Sequence, residues 1–385
     1  MDNADLAEIV AAVRTFVRDD VVPREEEIDA TDAVPESLVA GCKDMGLYGF
    51  TIPVEYGGLG LSVAQEIELV FELGWTTPAL RSLFGTNNGI AGHVLLEGAT
   101  DEQKKEWLPR LASGEVTASF ALTEADAGSD PSSLTTGARR DGNRWVLNGA
   151  KRYITNAPVA DVFMVFARTD PDAPGNRGIT AFLVPSDTPG VSVGPADRKM
   201  GQFGAHTADV HFDDVVLPRD AVVGGEDGVN NGFRIAAQCL AHGRVHIAAL
   251  CVGMAGRLVA ESVEFAQSRR AGGAPIARFQ LVQGLVADSV TDHYAGRALV
   301  REVAAAYDAG TDKITGPSAA KYFCSEMVNR VADRAVQIHG GAGYMRGVAV
   351  ERFYRDARLF RIYEGTSQIQ QVIIARQTLG PAARG

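Results

Sequence analysis

Residues 144–155 read Arg-Trp-Val-Leu-Asn-Gly-Ala-Lys-Arg-Tyr-Ile-Thr, and this stretch decides the fold class. Strand-forming residues lie on both sides of the dipeptide Asn148-Gly149, which suits a type I′ turn because both central positions need a positive φ. We therefore predict a β-hairpin over 144–155. Apolar runs between Asp-, Pro- and Gly-containing loops predict further strands at 116–122, 161–168, 179–184 and 208–216.

The chain on either side of this region has helical patterns. Apolar residues recur with the 3.6-residue period from Leu6 to Val17, and again around Ile67 and Phe71. Another helix is predicted to begin at Thr100, which forms a capping-box pattern with Gln103. Longer helices are predicted over 232–268, 280–307 and 317–338, with a last one after Gly365.

Strands that are not interleaved with helices argue against a doubly wound Rossmann sheet. Their spacing of about ten residues favours an antiparallel sheet or a small barrel. We predict an α+β protein with an N-terminal helical domain (1–115), a central antiparallel β-barrel domain (116–227) and a C-terminal helical bundle (228–385).

Composition narrows the function. The 385 residues include 48 acidic and 37 basic side chains, a formal net charge of −11. That excess argues against a partner with a phosphate backbone, so no nucleic acid is expected. No run approaches the roughly 18 apolar residues of a membrane span, and the N-terminus is acidic where a signal peptide is basic. The four cysteines form no C-x-x-C pair, so we expect a cytoplasmic protein without membrane insertion or disulfides.

Two local sequence patterns contain side chains that could act in catalysis or in metal binding. Glu364 lies just ahead of a predicted helix, where Ser367 and Gln370 fit a capping box, so it is either a functional carboxylate near the positive helix end or a solvated surface charge. His242 and His246 lie at i, i+4, a spacing that can bind a metal. No glutamate stands between these two histidines and an arginine does, so no metal site is predicted.

Several segments, taken together, resemble the acyl-CoA dehydrogenase family in its order and spacing. They span nearly the full length of the chain: 122–124 with 127–130, 148–149 with 153–156, 337–343, 351–352 with 354–356, and 363–370. The resemblance implies a helical bundle, a β-barrel and a second helical bundle, assembled as a homotetramer with one FAD per subunit.

The resemblance also implies a reaction, the α,β-dehydrogenation of an acyl-CoA thioester to the trans-2-enoyl-CoA. Glu364 would be the general base, with its pKa raised by burial and by the bound thioester. The Gly365 N–H would donate to the thioester carbonyl, and a hydride would pass to flavin N5. An electron-transferring flavoprotein would be the electron acceptor.

The same resemblance assigns the remaining site residues. The FAD contacts it implies are Phe120, Leu122, Thr123, Gly128, Ser129, Tyr153, Thr155, Thr366 and Gln368, together with Arg269, Gln280, Gln337 and Gly341 on the FAD of a neighbouring subunit. The substrate contacts it implies are Ser129, Arg244, Tyr363, Gly365 and Arg81.

Two positions depart from the family's pattern. Gly272 stands where the family usually has a phenylalanine that covers the neighbour's cofactor, which predicts weaker FAD retention. Ala241 replaces a frequent aspartate, which changes the expected CoA channel. Arg81 resembles the arginine that glutaryl-CoA members use for a substrate carboxylate, and the alternative is an exposed helix arginine.

Two other functions remain open on the same fold. One is a flavin oxidase that passes electrons to O2, although no motif in the sequence indicates reactivity with oxygen. The other is a non-catalytic acyl-CoA-binding homologue, whose expected signature is loss of the base, and Glu364 is present.

Overall fold

The computed structural model describes residues 1–383, and its first part is helical. Helix α1 continues into a π-helical turn at Phe16–Val21, which is followed by a 3-10 turn that contains Pro23. Thr100 caps α7 and completes the predicted capping box with Gln103. The helices are α1 (Asn3–Thr15), α2 (Glu25–Thr31), α3 (Glu36–Asp44), α4 (Val63–Leu73), α5 (Pro78–Asn88), α6 (Ile90–Gly98) and α7 (Asp101–Ala112).

A sheet of seven strands follows these helices. The strands are β1 (Ala118–Ala121), β2 (Gly137–Asp141), β3 (Arg144–Thr155), β4 (Val162–Arg168), β5 (Ile179–Pro185), β6 (Val191–Val193) and β7 (Thr207–Pro218). Their order is β1-β4-β2-β3-β7-β6, with β5 paired to β4. The sheet is an open, curled layer rather than a closed barrel, and it is mixed because β4 runs parallel to both β1 and β2.

The predicted hairpin over 144–155 is wrong, because this segment is the single strand β3. The turn lies earlier, at residues 142–143, where β2 joins β3. Asn148 does not turn the chain, because its side chain exchanges two hydrogen bonds of 2.9 Å with Asp214 in a bulge of β7. Gly149 has φ +143 and lies so close to Thr136 that a Cβ atom would come within 2.7 Å of the Thr136 Cα.

The chain then returns to helices, as predicted. They are α8 (Gly232–Ser268), α9 (Gln280–Asp308), α10 (Thr315–His339), α11 (Ala349–Ala357) and α12 (Ser367–Leu379). Between α8 and α9 a short hairpin pairs β8 (Arg270–Ala271) with β9 (Ala274–Pro275). Gly272 and Gly273 form its two-residue turn with φ +56 and +82, which is the backbone that such a turn requires.

Helix α8 forms the centre of the molecule. It packs against α4, α6, α9 and α10, so the first and last helical parts share one hydrophobic core, which includes Leu69, Ile247 and Met327. By length and composition alone α8 could cross a membrane, contrary to our expectation from the sequence. However, 83% of its apolar window is buried inside the protein, as in the core helix of a folded domain.

The cysteines lie in these cores. All four are buried free thiols, and residues 1–383 contain no disulfide. Burial raises the pKa of Cys42 to about 12, so it stays a protonated, apolar side chain.

The contact between β3 and Thr136 is testable. We expect Gly149→Ala to lower the free energy of unfolding by about 2 kcal/mol or more, because the new methyl group meets backbone atoms at a strained φ. Gly137→Ala on β2 is the control, since its added Cβ would meet only the Thr135 carbonyl oxygen at 3.8 Å. Urea denaturation of both variants measures the difference. Equal losses would contradict this role of Gly149.

Candidate active site

A pocket of about 220 Å3 opens where α5, β1, β3, α8 and the segment before α12 meet. Its lining brings together residues that the sequence analysis expected around the flavin and the thioester. These are Arg81, Phe120, Leu122, Thr123, Gly128, Ser129, Tyr153, Thr155, Arg244, Tyr363, Glu364 and Gly365. Lys199, Gln202 and Leu240 also line the pocket and were not anticipated.

The other expected cofactor residues lie outside this pocket. Phe265 of α8 stacks on His339 of α10, so both helices end at the same end of the bundle. The set expected on a neighbour's FAD is exposed near that end: Arg269, Gln280, Gln337 and Gly341. Thr366 is the N-cap of α12, and Gln368 is exposed in its first turn. The roles of all six residues stay predictions.

The Glu364 backbone is fixed by an unusual turn before α12. Glu364 has φ +54 and Gly365 has φ +89, and a non-glycine residue in this region costs on the order of 1 kcal/mol or more. The predicted capping box of Ser367 and Gln370 is wrong. Thr366 caps the helix, Ser367 donates to Glu326, and Gln370 donates to the carbonyls of the turn.

The Glu364 side chain carries a carboxylate without a partner. Its Oε2 is buried and makes no hydrogen bond within residues 1–383. It fits against α8 because residue 243 is glycine, where a Cβ atom would lie 2.3 Å from Oε2. Burial raises the pKa of Glu364, against the opposing charges of Arg81, Lys321 and Arg244. The prediction of a base with a raised pKa therefore agrees with the structure in its direction.

Arg81 is buried rather than exposed, so the alternative of a solvated helix arginine is wrong. The side chain is 9% exposed, lines the pocket, and donates from Nε to His246 Nε2 at 2.8 Å. Because arginine only donates, His246 must accept at Nε2 and carry its proton on Nδ1. Burial lowers the pKa of His246 to about 4, which is consistent with this neutral ring.

The two histidines of α8 bind a carboxylate from another helix. Glu66 of α4 accepts from His246 Nδ1 at 2.6 Å and pairs with His242 Nε2 at 2.6 Å. All three side chains are almost fully buried. Burial opposes the ionisation of Glu66, but the two histidines outweigh it and hold its pKa well below the usual range. Residues 1–383 hold no group of three or more candidate metal ligands. The two hydrogen bonds to Glu66 give His242 Nε2 and His246 Nδ1 their buried partner.

A second buried ion pair supports the wall formed by β1 and the loop after it. Lys151 of β3 donates to Glu124 at 2.8 Å and to the Leu122 carbonyl at 3.1 Å. Glu124 also accepts from the backbone N–H groups of Thr135 and Thr136. Burial lowers the pKa of Lys151 to about 8. The ion pair of Lys151 and Glu124 holds the Leu122 backbone in place through the hydrogen bond to the Leu122 carbonyl.

This wall fits a flavin. Phe120 and Leu122 present an apolar surface, with the hydroxyl groups of Thr123, Ser129 and Thr155 beside it. A Cβ atom at Gly128 would meet only Thr123 at 4.0 Å, so the backbone is open to a close approach. The donors are neutral, as the uncharged polar edge of a flavin ring requires.

A chain of helices, a sheet and helices, with one pocket lined by an apolar wall, hydroxyl groups and a carboxylate, has the parts that a flavin-dependent oxidoreductase needs. More narrowly, the chain belongs to the acyl-CoA dehydrogenase family, whose members depend on FAD. Three family models match it: the N-terminal domain over 3–115, the middle domain over 119–215 and the C-terminal domain over 230–379. The resemblance seen in the sequence is therefore confirmed, together with the fold class and the oxidoreductase assignment.

Similar curated proteins cover nearly the whole chain. It is 38% identical over 368 residues to an acyl-CoA dehydrogenase of Bacillus subtilis, covering 96% of each chain. It is 37% identical to a 3-(aryl)acrylate reductase of Clostridium sporogenes, covering 95% of this chain and 96% of the relative. It is also 36% identical to the caffeyl-CoA reductase-Etf complex subunit CarC of Acetobacterium woodii, covering 92% of each.

Solved structures agree with this assignment. Butyryl-CoA dehydrogenase from Megasphaera elsdenii superposes with a TM-score of 0.93 at 31% identity, covering 99% of each chain. PigA with FAD and proline superposes with a TM-score of 0.92 at 27% identity, covering 100% of this chain and 99% of the other.

Sequence reasoning missed Glu66 and Lys321, and it gave Gln370 a capping role in place of its hydrogen bonds to the turn. A signal was present for Lys321, which falls on one helical face with Cys324 and Val328, both buried. A charged residue in phase with apolar ones indicates a buried charge. The identity of its partner comes only from the tertiary structure.

The Glu66 network makes a prediction about stability. Glu66→Gln should lower the free energy of unfolding by about 3 kcal/mol, because it breaks a buried ion pair. The depressed pKa of Glu66 stabilises the folded state above pH 4.5, and the raised pKa of His242 stabilises it below pH 6.5. The loss of stability in Glu66→Gln should therefore be largest between these two pH values.

Glu68→Gln on the same helix is the matched control. Its carboxylate is 29% exposed and pairs with Arg301, which is 51% exposed, so the loss should stay below about 1 kcal/mol. Urea denaturation from pH 4.5 to 8 compares the two variants. A pH-independent loss for Glu66→Gln would show that its charge does not matter.

Proposed function

We propose that this chain catalyses the FAD-dependent α,β-dehydrogenation of an acyl-CoA thioester to the trans-2-enoyl-CoA. One observation carries the proposal: of the residues in 1–383 that line the pocket, Glu364 is the only carboxylate. An α-hydrogen is weakly acidic, so its removal needs a positioned base. The family membership supports dehydrogenation of this kind of substrate.

Glu364 takes the α-proton onto its carboxylate. A pKa raised by burial makes the carboxylate a stronger base once it is ionised, and the nearby cations oppose part of that shift. The carboxylate oxygen Oε2 has no hydrogen bond to break within the described residues, so it accepts the proton without losing a partner.

The Gly365 N–H stabilises the negative charge that develops on the thioester oxygen. It has no hydrogen-bond acceptor among residues 1–383, although it borders the pocket. A donor that is already oriented towards the oxygen needs no reorganisation during the reaction. Glu364 and its neighbour in the chain therefore act on the same thioester.

Phe120, Leu122, Thr123, Tyr153 and Thr155 would hold the flavin. When bound, FAD supplies the acceptor for the β-hydride. Tyr153 is 62% exposed at the mouth of the pocket, and its ring stacks on the Arg152 guanidinium at 4.3 Å. Together these residues would exclude water from the face of the flavin that accepts the hydride.

The acyl end of the pocket is basic. Arg81 and Arg244 line it, and each is 9% exposed. A buried guanidinium with free N–H groups favours an acceptor on the ligand. We therefore include a carboxylated or polar acyl chain in the proposal.

The remaining parts of the proposal concern partners and location. An electron-transferring flavoprotein is the proposed electron acceptor, supported by the Etf-complex subunit among the relatives. A homotetramer is proposed from the family resemblance, with Arg269 and Gln337 on a neighbour's cofactor. A cytoplasmic location is proposed because all four cysteines are buried free thiols, as is usual where thiols stay reduced.

Anaerobic titration with a panel of acyl-CoA thioesters tests the reaction. The wild-type flavin absorbance should bleach with at least one thioester, and Glu364→Gln should keep FAD bound while slowing bleaching by about 1,000-fold or more. Glu68→Gln changes a half-buried carboxylate on α4 that does not line the pocket, and it should bleach like the wild type.

Absence of bleaching with every thioester would refute the dehydrogenase proposal, and full activity of Glu364→Gln would place the base elsewhere. The rate at which the reduced flavin is reoxidised by each acceptor distinguishes an electron-transferring flavoprotein from O2. Rapid turnover with O2 alone would favour an oxidase.

Arg81→Ala tests the acyl end of the pocket. It should weaken kcat/KM for carboxylated acyl chains by about 20-fold more than for straight-chain substrates, because both lose a cation near Glu364 but only the former lose a charged hydrogen bond. Straight-chain thioesters of the same length are the internal control. Equal losses across the panel would reject a direct contact between Arg81 and the substrate.

A further inference from the structure

The Arg81 side chain lies along its own helix, over two glycines. A Cβ atom at Gly85, one turn further along α5, would come within 2.6 Å of the Arg81 Nε and 2.7 Å of its Cζ. The three atoms nearest to that Cβ all belong to Arg81, and a Cβ at Gly89 would lie 3.9 Å from Nη2. A larger residue at position 85 would therefore displace the guanidinium, and the glycine leaves the space that it occupies.

His246 holds Arg81 from the side of α8. Its Nε2 accepts from the Arg81 Nε at 2.8 Å, and its Nδ1 donates to Glu66 at 2.6 Å, so both ring nitrogens have a partner. The Phe50 ring lies parallel to the imidazole, with 6.2 Å between the ring centroids. His246, Glu66 and Phe50 are all buried and none of them lines the pocket. The position of the acceptor is therefore set from outside the pocket.

The hydrogen bond to His246 leaves the far end of the guanidinium free. It uses one of the five N–H groups of Arg81, and the terminal Nη1 and Nη2 have no hydrogen-bond partner among residues 1–383. Neither terminal nitrogen is fully buried, and Arg81 lines the pocket. With Nε bound, the edge formed by Nη1 and Nη2 can donate to both oxygens of a carboxylate.

Arg244 shows that this arrangement is not general for the cations of the pocket. It also lines the pocket and is 9% exposed, like Arg81. Its Nε is fully buried and makes no hydrogen bond within residues 1–383. Of these two arginines, only Arg81 has its direction fixed by a hydrogen bond from the protein. A group that is fixed before the ligand arrives loses less conformational freedom on binding.

We propose that Gly85 and His246 are positioning residues that determine specificity through Arg81: Gly85 leaves room for the guanidinium along α5, and His246 holds its Nε so that the two terminal nitrogens face the acyl end of the pocket. The proposal rests on the proposed function, since it takes a carboxylated or polar acyl chain as the group that Arg81 contacts.

The first experiment measures kcat/KM of the holoenzyme for glutaryl-CoA and for pentanoyl-CoA, which have equal chain length with and without a terminal carboxylate. Gly85→Ala should lower the ratio of the two values by about 10-fold, because its methyl group moves the guanidinium. The thermal midpoint should stay the same or rise, because alanine is the better residue inside a helix. A merely structural role of Gly85 would not give this combination.

Two variants of His246 separate its two hydrogen bonds. An asparagine amide lies near the position of Nδ1 and can donate to Glu66, but it does not reach Arg81. A glutamine amide reaches the position of Nε2, where its oxygen can accept from Arg81. His246→Asn should therefore lower the ratio by about 10-fold and His246→Gln by less than about 3-fold. In the Arg81→Ala background, neither His246→Asn nor Gly85→Ala should change the ratio by more than about 2-fold.

The second experiment needs no substrate. The thermal midpoint is measured for wild type, Arg81→Ala, His246→Asn and the double variant. Each single variant removes the same hydrogen bond and leaves one partner unpaired. The loss in the double variant should therefore be smaller than the sum of the two single losses.

These readouts distinguish the possible failures. Equal losses with both thioesters in Gly85→Ala would show that the methyl group obstructs the pocket, and would overturn its role. A ratio as low in His246→Gln as in His246→Asn would overturn the role of the Nε2 acceptor, and additive thermal losses would overturn the coupling of His246 to Arg81.

Failure of the proposed function has a different signature. If wild type bleaches with no thioester, the reaction fails, and if Arg81→Ala leaves the ratio unchanged, the acyl-end contact fails. The specificity role falls in either case, while the thermal cycle still decides whether His246 holds Arg81. If His246→Asn does not fold, Gly85→Ala decides the proposal, since it removes no side chain from the core.

Discussion

The burial of helix α8 is the constraint on which the rest of the structure depends. Its 37 residues run through the centre of the molecule, in contact with helices from both ends of the chain. The polar side chains at the buried middle of such a helix need internal partners, because water is not available there. The polar residues at its middle, His242, Arg244 and His246, therefore determine what the neighbouring helices must supply.

The partners of these buried polar residues connect helix α8 to the pocket. Glu66 of α4 binds both histidines, and His246 in turn accepts from Arg81, which reaches the pocket from α5. Gly243 leaves room on the same helix for the Glu364 carboxylate. The cations near Glu364 thus lie on helices that the core already fixes, which is how a site becomes preorganised. The buried charges that hold these helices together therefore also surround the proposed base.

The parts of the fold that were predicted correctly are those in which local pattern and final structure agree. Helix α8 was predicted to its end residues, and Thr100 caps α7 because a capping box acts within four residues of chain. The prediction failed where a distant segment overrides a local preference. Asn148 and Gly149 have the composition of a turn, but Asp214 and Thr136 bind them into a continuous strand.

By itself, the sequence determined the class of the protein: the order of helices and strands, the family, and Glu364 as the candidate base. These follow from local periodicity and from residues spaced along short motifs. Only the tertiary structure decided the state of that base, because the pKa of a carboxylate depends on charges that lie close in space. Lys321 and Glu364 are 43 positions apart in the chain, and Arg81 lies on α5 in the first helical part of the chain. Their common neighbourhood arises from helix packing, which no local pattern of residues specifies.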